Sequence, residues 1–432
     1  MYKLRLTLSI IKILIALIIL TPIIGRSTVT PADNLEKIRR YTRMIEFDYI
    51  QWTLDAFYLK YSQSALSLTR YIPAGNQSNL VRQHLDLIRQ MEQVKADIER
   101  IYADPKITDK ASASAGLLQR QRALIEKDRQ LAPMAEAVLQ QQLSKVLADM
   151  NLSLVGQPVP PPLYHVTPLP VALIVSPRNI IRQEANISLL PNLTLDEIVA
   201  LEQSLESNLN VSALVVNIGG VGVYPTMVMS TTDLSWLTEV IAHEWTHNFL
   251  TLRPLGINYD TSHQLRTMNE TAATIAGKEI GLEILKLYYP DKVPPPPPPT
   301  TPQPRTDRPP STPQPPAFDF RKEMNITRVT ADELLAAGKI DEAEQYMEER
   351  RKLFWENGYQ IRRLNQAYFA FHGAYADTPG GAAGKDPVGP AVRALRSQSA
   401  SLSEFLERIS WMTSFEQLLR AIDSSQPLTD LH

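Results

Sequence analysis

Leu237-Thr238-Glu239-Val240-Ile241-Ala242-His243-Glu244-Trp245-Thr246-His247-Asn248-Phe249-Leu250 decides how the rest of this 432-residue chain is read. The stretch holds neither Gly nor Pro, and Leu237, Val240, Ile241 and Leu250 recur at roughly helical spacing, with Asp233 upstream as an N-cap. It is expected to form a buried helix. Residues four apart share a helix face, so His243 and His247 can direct their ring nitrogens to one point. Glu244 is offset by one residue and projects beside that pair.

Two imidazoles one turn apart suit a divalent ion at about 2.0–2.1 Å, and Zn2+ is the expected cofactor. A bound zinc lowers the pKa of water from about 15.7 toward 7, which makes the adjacent Glu244 carboxylate the expected general base. A catalytic zinc keeps one open position beside three protein ligands, so a third ligand is required. The candidate is Glu270, in Met268-Asn269-Glu270-Thr271-Ala272-Ala273-Thr274-Ile275-Ala276-Gly277, near the start of a second helix running toward Tyr288. Ala272, Ala273, Ala276 and Gly277 are small enough to let that helix approach the first. His263, in a loop-like stretch between the two helices, is the rival ligand. A metzincin would place glycine and histidine where Leu250 and Arg253 stand, which excludes that class.

Through His243, Glu244, His247, Asn269, Glu270 and Ala273 the chain resembles the gluzincin metallopeptidases, the thermolysin-like and aminopeptidase-like group in which H-E-x-x-H precedes an N-E-x-x-A helix. The resemblance implies zinc held by His243, His247 and Glu270, Glu244 as base, and hydrolysis of a peptide or protein substrate. Thermolysin-like members orient a ligand histidine with an aspartate four residues after the third ligand. Thr274 stands there instead, so the groups around the ligands must differ. Gluzincins often stabilise the oxyanion with a tyrosine or histidine from a later helix. If residues 362–375 are helical, Tyr368, His372 and Tyr375 lie near one another. Tyr375 is the expected donor and His372 the second choice, with Tyr259 a weaker alternative; each fits a core side chain equally well. No G-x-M-E-N type motif for a substrate amino terminus is present, and aminopeptidase and endopeptidase activity both stay open. A zinc-binding or metal-free, inactive pseudo-peptidase serving as a partner-binding module of the cell envelope is the alternative, against which the intact Glu244 argues.

Residues 212–218 read as a buried strand, followed by the glycine-rich turn Gly219-Gly220-Val221-Gly222-Val223-Tyr224-Pro225 and an extended run at 226–229. Residues 222–227 are the expected edge strand, to which a peptide could pair by strand addition, although a plain strand and turn fits the same residues. A strand at 169–175 and a helix at 196–209 complete the segment. The expected fold class is α+β and predominantly helical, with a zincin-like catalytic core, a small mixed sheet and long N-terminal helices.

Outward from this core, residues 34–152 read as long helices: Ile38, Tyr41, Ile45, Phe47 and Ile50 form one pattern, Leu85, Leu87, Ile88, Met91 and Val94 another, and 117–150 a third. They suit a hairpin packed on the enzyme, or a spacer or partner-binding stalk. Lys3 and Arg5 precede an apolar run, so residues 1–26 are expected to be a signal peptide or membrane anchor. With no A-x-A site following, an uncleaved anchor with the catalytic part outside the cytoplasm is favoured; cleavage would give a secreted protein. The divisions that follow are a helical region at 33–155, the catalytic core at 163–292, a Pro-rich insertion or linker at 293–317, and a helical lobe at 318–432 that completes the catalytic unit. The Pro-rich tract is also a candidate ligand for proline-binding domains. Residues 331–344 read as helix, Gly338 turn and helix, and 380–384 as a flexible loop able to act as a lid. A net charge of −2 gives no basis for nucleic-acid binding. The absence of cysteine removes disulfides, thiolate zinc sites and thiol catalysis together.

Overall fold

The computed structural model describes residues 33–65, 72–103, 107–295, 318–375 and 381–423. The anchor-like residues 1–26, most of the Pro-rich tract and the start of the 380–384 loop lie outside them. Along the chain run α1 (Asn34–Thr42), α2 (Tyr49–Ala65), α3 (Ala74–Ala103), α4 (Lys110–Asp149), β1 (Tyr164–Val166), β2 (Val171–Pro177), β3 (Ala185–Leu189), α5 (Leu195–Leu209), β4 (Val211–Asn217), β5 (Gly220–Val221), β6 (Thr226–Val228), α6 (Leu234–Thr251), α7 (Pro254–Ile257) and α8 (His263–Tyr288). They continue with α9 (Phe320–Ala336), α10 (Ile340–Glu356), α11 (Gln366–His372), α12 (Val388–Ser397), α13 (Leu402–Ser410) and α14 (Phe415–Asp423). Helix predominates, and the strands form two small three-stranded sheets. Among the described residues no helix is long and apolar enough to cross a membrane.

The helix pair α6 and α8 occupies the centre. Asp233 caps α6 by accepting from the backbone N of Ser235 at 2.9 Å and of Trp236 at 3.2 Å. Leu237, Ile241, Trp245 and Leu250 are buried, and the Trp245 indole donates to the Pro160 carbonyl at 2.8 Å, so its one polar atom is satisfied. α8 presents small residues to α6. A Cβ on Gly277 would stand 2.9 Å from the Glu239 carbonyl oxygen and from His243 Cβ, and one on Gly281 would stand 2.9 Å from the Glu239 nitrogen. The second half of α4, through Val138, Leu139, Leu143 and Val146, closes the same core, together with α12, α13 and α14. Tyr289, fully buried after α8, donates to Gln142 of α4 at 2.9 Å.

The antiparallel sheet β3-β2-β4 lies between two further cores. Ala172 and Ile174 of β2 face a core built with α9, α10 and α11, whereas Leu173 and Val175 face one built with α1 and α5. This is the alternation expected of a strand buried on both faces. Glu202 of α5 is fully buried; it accepts from Val215 N at 2.7 Å and from the Arg362 and Arg363 guanidinium groups at 2.7 and 3.1 Å. These contacts bind the C-terminal segment to the sheet.

Several expectations change. In place of a single mixed sheet there are two, the mixed one being β1-β6-β5, with β1 parallel and β5 antiparallel to β6. The helical pattern from Ile38 to Ile50 breaks at 43–48, where Phe47 N donates to Ser188 O at 2.9 Å and Glu46 bridges Leu189. The open edge of β3 satisfies that backbone better than another helical turn would. Helix within 362–375 is confined to α11, because Arg362 and Arg363 are drawn to Glu202 and Asn365 caps the helix start by accepting from Tyr368 N at 3.0 Å. The helix, Gly338 turn and helix at 331–344 form as α9 and α10, with Gly338 at φ 74°.

Gly281→Ala should lower stability by roughly 1–3 kcal/mol, because the added methyl meets backbone that cannot swing aside. The thermal unfolding midpoint measures this, and an unchanged midpoint would mean that the α6–α8 contact has slack.

Candidate metal centre

The packing of α8 on α6 brings three donor atoms together. His243 Nε2 and His247 Nε2 are 3.0 Å apart, and Glu270 Oε2 lies 3.7 and 3.5 Å from them. Ligands at 2.0–2.1 Å from a tetrahedral zinc stand about 3.3 Å apart, and the three separations bracket that value. Glu270 Oε2 is buried with no hydrogen-bond partner, an orphan that an ion would satisfy. Two imidazole nitrogens with one carboxylate oxygen form a donor set suited to zinc.

The neighbouring groups aim these atoms. His247 Nδ1 is 2.8 Å from Asn269 Oδ1, and His243 Nδ1 is 3.5 Å from Thr274 Oγ1. With Nδ1 donating to oxygen, each ring in its neutral form presents a bare Nε2. Thr274 itself donates to the Glu270 carbonyl at 2.8 Å. Tyr259 donates to Glu270 Oε1, which leaves Oε2 for the cluster. Tyr259, the weaker alternative as oxyanion donor, is thus engaged with the Glu270 carboxylate. Arg266 Nε approaches the Tyr259 hydroxyl at 3.4 Å, and Arg266 Nη1 donates to Ala370 O at 2.9 Å.

Glu244 stands outside the donor triangle, against β5. A Cβ on Gly220 would lie 2.5 Å from Glu244 Oε1, so only glycine lets the strand pass that close to the carboxylate. Asn248 fixes the strand–helix register by donating to Val223 O at 3.2 Å and Thr226 Oγ1 at 2.9 Å. The edge strand is β5, Gly220–Val221, upstream of the expected 222–227. Residues 222–225 form the turn, and β6 is central, paired on both sides with Met227 and Val228 fully buried.

A cavity of about 400 Å³ opens over the cluster, walled by β5, by Tyr49 and Ser188, and by Tyr259, Arg266 and Tyr375. Tyr375 faces His243 with ring centroids 6.5 Å apart. His372 does not line the cavity; its ring packs on Tyr368 at 4.3 Å and Phe371 at 5.1 Å. α11 ends at His372, so Tyr375 departs from the helical path that would have kept the two side chains together. His263 is the first residue of α8 rather than a loop residue; its Nε2 lies 3.8 Å from Asp386 Oδ2, and it stands apart from the donor cluster. Arg266, Asn248 and Tyr49 also shape the site, although none belongs to a motif of the sequence. Arg266 carried a signal, since it precedes Glu270 by one helical turn on the same face.

The chain matches no protein-family profile, no curated protein and no solved structure. Function is therefore inferred from the residues themselves.

Burial pushes the Glu244 carboxyl up, against the pull of the two histidines. Burial also acts to raise Glu270, but the His247 and His243 rings beside it outweigh that and hold the carboxyl well below the usual range. His247 mirrors this: burial pulls the ring down, and Glu270 opposite carries it up to about 9. Burial drives Tyr259 well above 10, with the Glu270 charge adding to it. Tyr375 follows for the same reasons. Both phenols stay protonated donors at neutral pH. His372 is pushed down to about 4 by burial and stays neutral.

The His247–Glu270 pair has a pH consequence. A histidine raised from 6.5 to about 9 stabilises the metal-free fold fully below pH 6.5, and that contribution is lost as pH rises through 9. An incoming ion needs the neutral ring, so binding at pH 7.5 should release about one proton, and affinity should rise with pH until about 9. Calorimetry in two buffers of different ionisation enthalpy measures the proton count. No release at pH 7.5 would contradict the charged pair.

Proposed function

We propose that the protein is a zinc-dependent metallopeptidase with a zincin-like, gluzincin-type catalytic core. The observation that carries this is the donor triangle of His243, His247 and Glu270, with Glu244 held beside it on the wall of a cavity bordered by an edge strand. Zinc bound by these residues would supply the Lewis-acid charge that activates water and polarises a carbonyl. β5 offers backbone groups to an extended peptide, which sets the scissile bond across the cavity. Glu244, its proton affinity raised by burial, takes the proton from the attacking water and returns it to the leaving amine. Tyr375 keeps its phenolic proton and donates it as a hydrogen bond to the oxyanion. With residues 1–26 as anchor or cleaved signal, the reaction would take place outside the cytoplasm.

Metal analysis and hydrolysis of a peptide library by the wild type, Glu244→Gln and Tyr375→Phe test this proposal. The expected result is about one zinc per chain in all three, with turnover reduced roughly 10²–10⁴-fold in Glu244→Gln and by about 10²–10³-fold in Tyr375→Phe. Zinc without turnover on any peptide would favour the pseudo-peptidase alternative, and a chain that binds no zinc at His243, His247 and Glu270 would sink the metal site and the peptidase and leave only a metal-free partner-binding module.

A further inference from the structure

Arg266 is one of the most buried cations in the described chain, 3% exposed, yet it lines the cavity over the metal centre. A buried charge is costly unless it is paired and hydrogen-bonded. Arg328, 9% exposed, obeys that rule, with Asp332 at 2.7 Å. Arg266 does not: among the described residues no carboxylate lies within 4.0 Å of it. Its partners are a backbone carbonyl, Ala370 O at 2.9 Å, and the Tyr259 hydroxyl at 3.4 Å, and no described group bonds its Nη2. Its guanidinium therefore has donors to spare at the cavity wall.

The remaining charges in the cavity narrow what those donors would meet. Among the described lining residues the carboxylates are Glu244 and Glu270, the proposed base and the proposed ligand. Neither is free to hold a substrate's α-amino group. A guanidinium with free donors, by contrast, matches a carboxylate in bidentate geometry. Arg266 lies two hydrogen bonds from the Glu270 carboxylate, by way of Tyr259. A chain end one or two residues beyond the cleaved bond, at about 3.5 Å per extended residue, would span that interval.

Resting on the peptidase reading above, we propose that Arg266 is the specificity-determining residue of the site. It binds the free α-carboxylate of a substrate cut close to its C-terminus, so the enzyme is a carboxypeptidase or peptidyl-dipeptidase rather than an aminopeptidase. Tyr259 links this anchor to Glu270, so the carboxylate site and the ligand share one hydroxyl.

The test titrates zinc-loaded Glu244→Gln protein with an N-acetyl dipeptide acid and with its C-terminal amide by calorimetry, repeats both after metal removal, and assays wild-type hydrolysis of matched peptide acids and amides. The acid should bind roughly 10- to 100-fold more tightly than the amide, with the preference surviving metal removal. Adding Arg266→Gln should abolish the preference, and Arg266→Lys should keep part of it, as a point charge without the fork. Equal binding of acid and amide overturns the proposal, as does an Arg266→Gln variant that weakens both alike, which would mark the arginine as a mere tether for α11. If that variant fails to fold, the acid–amide comparison with Arg266 intact and the Lys variant decide. Acid preference with no peptide ever cut would leave the carboxylate site standing and remove the peptidase; peptides cut without acid preference would do the reverse.

Discussion

The close contact between α6 and α8 is the constraint on which the rest depends. It exists because α8 shows glycine where α6 passes, at Gly277 beside His243 and at Gly281 beside Glu239. Larger side chains would hold helix axes at their ordinary 8–10 Å or beyond, and Glu270 would then stand too far from the two imidazoles to share an ion with them. The surrounding core, from Leu139 and Leu143 of α4 to Leu395 of α12 and Phe405 of α13, holds the pair from outside. Interiors packed at crystal density transmit such constraints with little give.

Within that frame the electrostatics are set by mutual burial. Glu270 and His247 have little water to share, so each one's proton affinity is set largely by its charged neighbours: the carboxyl is pulled down and the His247 ring is lifted. Tyr259 engages one carboxylate oxygen and leaves the other bare toward the nitrogens. Asn269 and Thr274 hold the Nδ1 side of each ring. Thr274 offers His243 a neutral hydroxyl, which supplies orientation without adding a negative charge to the cluster.

The cavity above the cluster is composite. β5 comes from the mixed sheet, Ser188 from the antiparallel sheet, Tyr49 from α2 and Tyr375 from the segment after α11. The C-terminal lobe reaches the centre because Glu202 draws Arg362 and Arg363 onto α5, which seats α11 against β2 and β4. Arg266 completes the link by holding the Ala370 carbonyl. A polar contact more than a hundred residues long in sequence therefore helps to decide where Tyr375 stands.

The sequence by itself determined what depends on local periodicity. His243 and His247 face one way because 3.6 residues make a turn, Glu244 stands aside for the same reason, and the small residues at 272–277 announce a close helix contact. The chain likewise announced the α9–α10 turn at Gly338 and the strand at β4. Tertiary structure alone decided between residues that local pattern leaves equivalent. His263 and Glu270 lie on one helix, but about 10 Å of helical rise separates them, and only the register of α8 on α6 selects the second. Tyr375, and not His372, lines the cavity because α11 ends at His372 and the chain leaves the helical path there. The edge strand lies at β5 because β6 finds partners on both sides, and Arg266 becomes a cavity cation because among the described residues no carboxylate comes close enough to pair with it. Each of these outcomes depends on groups distant in sequence meeting in a low-dielectric interior, where position decides both which atoms pair and which protons stay.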